Sequence, residues 1–209
     1  MTPMAQSRFI TLEGGEGTGK STLARNLGEA LRASGREIVL TREPGGAAGA
    51  DAIRALLVQG DAARWSPHEE ALLFAAARLN HLIHTIRPAL ARGAWVVCDR
   101  YFDSTRAYQV GGSGLDPNVL DELNRQIGAE APNLTLILDI DAAAGLARSR
   151  GVHVGEDRFE QKGLDFHRRV RTEFLAIAAR EPRRCVVIDA SASAEAVAAT
   201  ALGAVEAML

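Results

Sequence analysis

Short apolar runs return along this chain at 8–13, 37–41, 94–98, 134–140 and 185–189, bounded by polar residues or glycine. Between them the apolar positions recur at helical spacing over 19–34, 48–59, 67–92, 117–127, 141–149, 163–180 and 194–208. The short runs read as buried strands and the longer stretches as helices. Strands alternating with helices predict an α/β fold with a parallel sheet covered on both faces, because each parallel pair needs a crossover and a helix supplies it. No Pro- or Ser-rich linker divides the chain and no segment repeats, so residues 1–209 read as one domain.

In such a sheet, ligands collect beyond the carboxyl ends of the strands. The first strand runs into "EGGEGTGKST" (13–22), which holds four glycines and one of two lysines in a chain with 22 arginines. A flexible linker would explain the glycines alone. The order strand, glycine loop, helix instead matches the phosphate loop G-x-x-x-x-G-K-[ST], here Gly14 to Ser21. Gly14, Gly15, Gly17 and Gly19 leave the backbone free to curl around a phosphate, with Glu16 and Thr18 between them. The N-terminus of the following helix adds positive potential. Lys20, expected as an exposed loop cation, is compact enough to follow the terminal phosphates; Ser21 offers a hydroxyl to Mg²⁺, and Thr22 completes the segment.

Charge narrows the partners. A formal net charge of −2 argues against nucleic acid held by bulk electrostatics. The N-terminal "MTPMAQSR" lacks the apolar core of a secretory signal and no apolar run is long enough to span a membrane, so the cytoplasm is the expected compartment. Cys98 and Cys185 each sit in an apolar run and read as reduced core residues on strands. His81 and His84 lie three apart on a helix, but no matching ligand cluster accompanies them, and they read as polar helix positions.

The other strand ends are polar as well: "TREPGG" (41–46), "DRYFDSTRAYQ" (99–109) and an arginine-bearing stretch after 140. Asp99, ending a buried strand, is placed to hold Mg²⁺. Its alternative role, shared with Asp103, is to cap a helix beginning near Ser104. Arg42 and Arg100 project toward the same crevice. Two guanidinium groups beside a metal-bound triphosphate call for a second phosphate, and hence for phosphoryl transfer onto a phosphate rather than water. A GTP switch would carry N-K-x-D, and Lys162 in "EQKGLD" does not fit it; a hydrolase needs a water-orienting residue that is not evident. A phosphate acceptor needs no general base, since its second pKa lies near about 6.

"FITLEGGEGTGKST", "TREPGG", "LLFAAARLNH", "DRYFDSTRAYQ" and "DRFE", in this order between residues 8 and 189, resemble bacterial thymidylate kinase. The resemblance implies the three-layer phosphate-loop fold with a five-stranded parallel sheet. It implies Mg²⁺-dependent transfer of the ATP γ-phosphoryl to dTMP, and a homodimer. On the matching positions it implies that Lys20 and Ser21 serve the triphosphate and Mg²⁺, with Asp99 near the metal. Arg42 and Arg100 match the acceptor-phosphate clamp, and Glu16 faces the acceptor's sugar and the closing lid. Phe74 matches the ring stacked on thymine, Arg78 the group reaching its O4, and Thr105 a polar contact to the base. Tyr108 matches the ring beneath the deoxyribose, with Gln109 beside it. Independently of any family, Phe74 and Arg78 share a helix face at i and i+4, and an arginine on an apolar stripe is not ordinary core.

The resemblance further implies that, with no arginine in the phosphate loop, a lid over about 148–162 supplies the catalytic positive charge; the alternative is a solvated surface loop whose arginines aid solubility. Arg150 and Arg158 are its expected donors, with Arg148 anchoring the preceding helix. Phe174 stands where the family often has Tyr, and adenine contacts are expected near Asp189 to Ala192. The helix over 67–92 carries more apolar perimeter than a sheet-facing stripe needs, which leaves a surface for a second subunit.

Overall fold

The computed structural model describes residues 8–150 and 156–208; the expected lid stretch 151–155, with both of its glycines, lies outside the described residues, as do 1–7 and 209. The five apolar runs form β1 (Phe9–Gly14), β2 (Ile38–Arg42), β3 (Trp95–Asp99), β4 (Leu134–Asp139) and β5 (Cys185–Asp189). They make one parallel sheet in the order β2-β3-β1-β4-β5. Alternation sorts the side chains by face. Ile10, Leu12, Val97, Leu136 and Leu138 pack under α1 (Lys20–Ala33) and α9 (Ala194–Glu206). On the opposite face Phe9, Val96 and Cys98 meet Leu82 and Ile86, while Ile137 and Cys185 meet Phe166, Val170 and Phe174 of α8 (Leu164–Arg180). Both cysteines are free and buried on strands, as expected.

α2 (Ala48–Val58), α6 (Pro117–Ile127) and α7 (Ala142–Ser149) fall where the apolar spacing puts them. The stretch 67–92 does not form one uninterrupted α-helix. α3 (Pro67–His81) starts at a Ser66–Glu69 capping box, then loosens into a π-helical turn over Leu82–Ile86 before α4 (Arg87–Ala91). Pro88 lacks the N–H that would bond back one turn and crowds the preceding carbonyls, so the turn before it widens. A second π-helical stretch, Arg106–Gly112, continues the short α5 (Phe102–Thr105). It had no apolar signature. Both stretches flank the crevice above β1 and β3, where the chain direction across the sheet reverses.

Candidate active site

The phosphate loop leaves β1 at Gly14, whose φ of 136° would strain any other residue and whose missing Cβ lets the Leu138 carbonyl approach. At Gly17 the same holds against the Gly145 carbonyl. Gly19, at φ 88°, begins α1, which has neither a side-chain cap nor an acid in its first turn. The N–H groups and positive dipole end of α1 therefore stay available to an anion. Lys20 is buried, not exposed as expected. Its Nζ donates to the carbonyls of Gly14 (3.2 Å) and Gly15 (2.6 Å) and to Thr18 Oγ1 (3.1 Å), spanning the loop as a strut. Burial, aided by the nearby Arg100, brings its ammonium down to about 8.

Ser21 Oγ donates to Asp99 Oδ2 at 2.6 Å, so the two residues assigned to the metal meet across 78 residues of sequence. Neither Asp99 nor Asp103 caps α5, whose N-cap residue, Tyr101, gives no side-chain cap. Asp103 is instead paired with Arg184, at 2.7 and 2.9 Å. Hydroxyl and carboxylate oxygens are hard donors that suit Mg²⁺, which shares its sphere with substrate phosphates rather than filling an all-protein cage. Among the described residues no cluster of three or more His, Cys, Asp or Glu could form such a cage.

Arg100 is the hub of the side expected to hold the acceptor. Among the described residues it is the one non-glycine with positive φ, 68°. Its guanidinium donates to Gly14 O (2.9 Å), Ser104 Oγ (3.2 Å), Glu16 Oε2 (3.0 Å) and Tyr108 Oη (3.2 Å). Tyr108 Oη in turn donates to Glu16 Oε1 at 2.6 Å. Burial opposes ionisation of Glu16, but Arg100, Lys20 and the Tyr108 hydroxyl outweigh it and hold the carboxyl at about 2. Arg42 ends β2 in register with Asp99 and is exposed to the crevice. Arg78, 1% exposed, bonds Glu43 (2.8 Å), Thr105 Oγ1 (2.8 Å) and Asn124 (3.3 Å), so two residues assigned to the base touch each other. Phe74, Arg78, Thr105, Tyr108 and Gln109 line the same crevice as residues 16–22.

With this geometry in view, the comparisons fall on one side. The thymidylate kinase family model matches residues 12–201. The thymidylate kinase of Caulobacter vibrioides is 54% identical over 197 residues, covering 94% of each chain. That of Bradyrhizobium sp. is 50% identical over 195 residues, covering 92% of this chain and 86% of the relative. The crystal structure of thymidylate kinase from Ehrlichia chaffeensis superposes with a TM-score of 0.78 at 33% identity, covering 96% of this chain and 98% of that one. The chain belongs to the thymidylate kinase family.

The three arginines of the expected lid separate. Arg148 lines the crevice and donates to the Ala190 carbonyl at 2.9 Å, within the segment expected to face adenine. Arg150 is exposed just past α7. Arg158 does not occupy the expected position of a mobile lid cation. It is fully buried, with its guanidinium on the carbonyls of Leu57 (3.0 Å), Asp61 (3.1 Å) and Ala62 (3.4 Å) and on Glu70. The end of α2 exposes carbonyls that lack helical partners, and a guanidinium is a good cap for them.

Sequence reasoning passed over four further groups of this site. Glu43 holds Arg78 and also His81, whose ring bridges to Thr41 Oγ1 at 2.7 Å; His81 is a polar helix position, as expected, and a buried member of this network. Glu13 is wholly buried, accepts from the Tyr101 N–H at 2.8 Å and from Ser104 Oγ, and is pushed up to about 8 by burial and by Asp103. Phe159 faces Phe74 and Tyr108, and Glu70 lies behind it. A glutamate inside an apolar strand such as "FITLEG" was the available signal, since a buried acid needs partners.

Proposed function

We propose that the crevice carries Mg²⁺-dependent transfer of the ATP γ-phosphoryl to dTMP, giving dTDP and ADP, with the residue roles that follow. The single observation that carries this reading is the Glu16–Arg100 pair, which joins the donor loop directly to the acceptor wall at 3.0 Å. The loop and Lys20 hold the ATP phosphates, and Arg100 with Arg42 holds the phosphate of dTMP. Ser21 and Asp99 would hold Mg²⁺, which would supply neutralisation of the charge on the transferring phosphoryl group. Phe74, Arg78 and Thr105 address the thymine, and the Tyr108 ring excludes a ribose 2′-hydroxyl. Gln109 presents a buried Oε1 without a protein partner on this side. Arg150 is the lid cation that stabilises the transferring phosphoryl.

Catalysis here is positioning and electrostatics. The acceptor phosphate is already a dianion, so no side chain has to remove a proton. A coupled ADP-release assay with ATP and Mg²⁺ against a panel of monophosphates tests the reading. dTMP should be preferred over UMP and other acceptors, and the rate should vanish on chelation of Mg²⁺. ADP release that ignores the acceptor would instead favour a hydrolase or switch.

The quaternary assignment is a homodimer. Leu72 (57% exposed) and Ile83 (48%) leave an apolar strip along α3 and its π turn, and light scattering on the eluted protein should give twice the chain mass. A cytoplasmic location fits the role; no helix among the described residues is long and apolar enough to cross a membrane.

A further inference from the structure

Behind the acceptor pocket lies a charged cluster that phosphoryl transfer leaves unused. Glu70, on the first turn of α3, is fully buried. Its Oε1 accepts from Arg158 Nη2 (2.5 Å) and Lys162 Nζ (3.3 Å), and its Oε2 accepts from Gln109 Nε2 (2.7 Å). The two cations converge again on one ring. Arg158 Cζ lies 5.0 Å and Lys162 Nζ 5.2 Å from the centroid of Phe159. That ring meets Phe74 at 6.1 Å and Tyr108 edge-on at 5.7 Å. Gln109, tied to Glu70 through its amide nitrogen, is left with its oxygen unpartnered by protein.

A buried ion cluster contributes little net stability over an apolar filling of the same volume, because desolvation cancels most of the attraction. What such a cluster does well is fix positions, since charged hydrogen bonds are short and directional. Here Arg158 and Lys162 lie on Phe159, the ring that meets both rings assigned to the acceptor, and Gln109 follows Tyr108 in the chain. Van der Waals contact between flat rings is steep in distance, so a small shift of Phe159 changes the slot beside Phe74 and Tyr108.

We propose that Glu70 is a positioning residue for the phosphoryl acceptor: through Arg158 and Lys162 it seats Phe159 against Phe74 and Tyr108, and through Gln109 it orients the amide beside them, setting the width of the slot for base and sugar. This rests on the reading of that slot as the dTMP site.

The test is a mutant cycle read in the dTMP KM, the ATP KM and dTMP equilibrium binding without ATP. Glu70→Gln keeps the volume but confronts Gln109 or Arg158 with an N–H donor in place of an acceptor. It should raise the dTMP KM and Kd about tenfold while the ATP KM moves less than about twofold. Phe159→Leu should act in the same direction, and the double variant should be no worse than about the larger single one, because both act on one ring. Lys162→Met, which leaves the Arg158–Glu70 pair in place, should raise the dTMP KM about threefold. If Glu70→Gln fails to fold, Lys162→Met with Phe159→Leu completes the same cycle. Additive effects, or an unmoved dTMP KM in a folded variant, would overturn the proposal while the wild type still phosphorylates dTMP. A wild type inactive on dTMP would overturn the acceptor reading and this proposal together.

Discussion

The phosphate loop reaches the crevice with backbone, whereas the acceptor wall reaches it with side chains that neutralise one another. Residues 14–19 are contiguous, and their chemistry follows from glycine conformations and the start of α1. The wall is drawn from the ends of β1, β2 and β3, from α3, from α5 and from the π-helical stretch after it, and its charges are spent on pairs: Arg78 on Glu43, Arg100 on Glu16 of the loop and, behind the wall, Arg158 on Glu70. An anion site made of N–H groups costs no buried charge. A pocket that must address a flat base, a sugar and a phosphate uses guanidinium groups, and each buried one demands a carboxylate. The donor side is therefore a motif and the acceptor side a network.

The sharpest break of this contrast is at Lys20, the cation that braces the backbone-built loop. Lys20→Met should lower kcat at least about 10³-fold in the ADP-release assay. Because Lys20 is buried against loop carbonyls, its melting temperature should also shift, unlike that of an exposed loop lysine. Next come two arginines of the expected lid. Arg150→Ala should lower kcat by about 10³-fold with dTMP binding, measured without ATP, nearly unchanged. Arg158→Ala should instead cost about 3 kcal/mol of stability in denaturant melts, because it strips Glu70 and the end of α2 of a buried partner. A stable Arg158→Ala with a catalytic defect alone would return that residue to the lid.

Glu16 tests the junction between the two sides. Its folded pKa of about 2 lies below the unfolded value of 4.5. Its stabilisation is thus fully present above pH 4.5 and lost as pH falls toward 2. Glu16→Gln should flatten the fall in stability across that acid window by about 2–3 kcal/mol, measured as melting free energy against pH. The smallest effect belongs to the wall. Arg78→Ala should raise the dTMP KM about tenfold with the ATP KM unchanged, and the reverse pattern would move Arg78 to the donor side.

All five strands were legible because buried parallel strands are short apolar runs, and seven helical patterns were legible because each has one apolar face. The breaks at Leu82–Ile86 and Arg106–Gly112 were not, since π-helical turns have no periodicity of their own and follow from Pro88 and from neighbours. In the site, Gly14 to Ser21 stood out because local order specifies that loop. Arg78 stood out as a charge on an apolar stripe. Glu43, His81 and Glu70 did not, because a lone acid or imidazole on a helix or loop reads equally well as surface until its partner is known.

By itself the sequence determined the strand-and-helix order, the phosphate loop and the family, all of which rest on interactions within a few residues or on motifs read in line. Only the tertiary structure decided which polar groups meet: the Ser21 hydroxyl with Asp99, 78 residues apart, and the Arg158 guanidinium with Glu70, 88 apart. Arg150 and Arg158 look alike in line. One is exposed past a helix end and the other is buried under α2, because burial and the carbonyls of a distant helix, not local sequence, set where a guanidinium comes to rest.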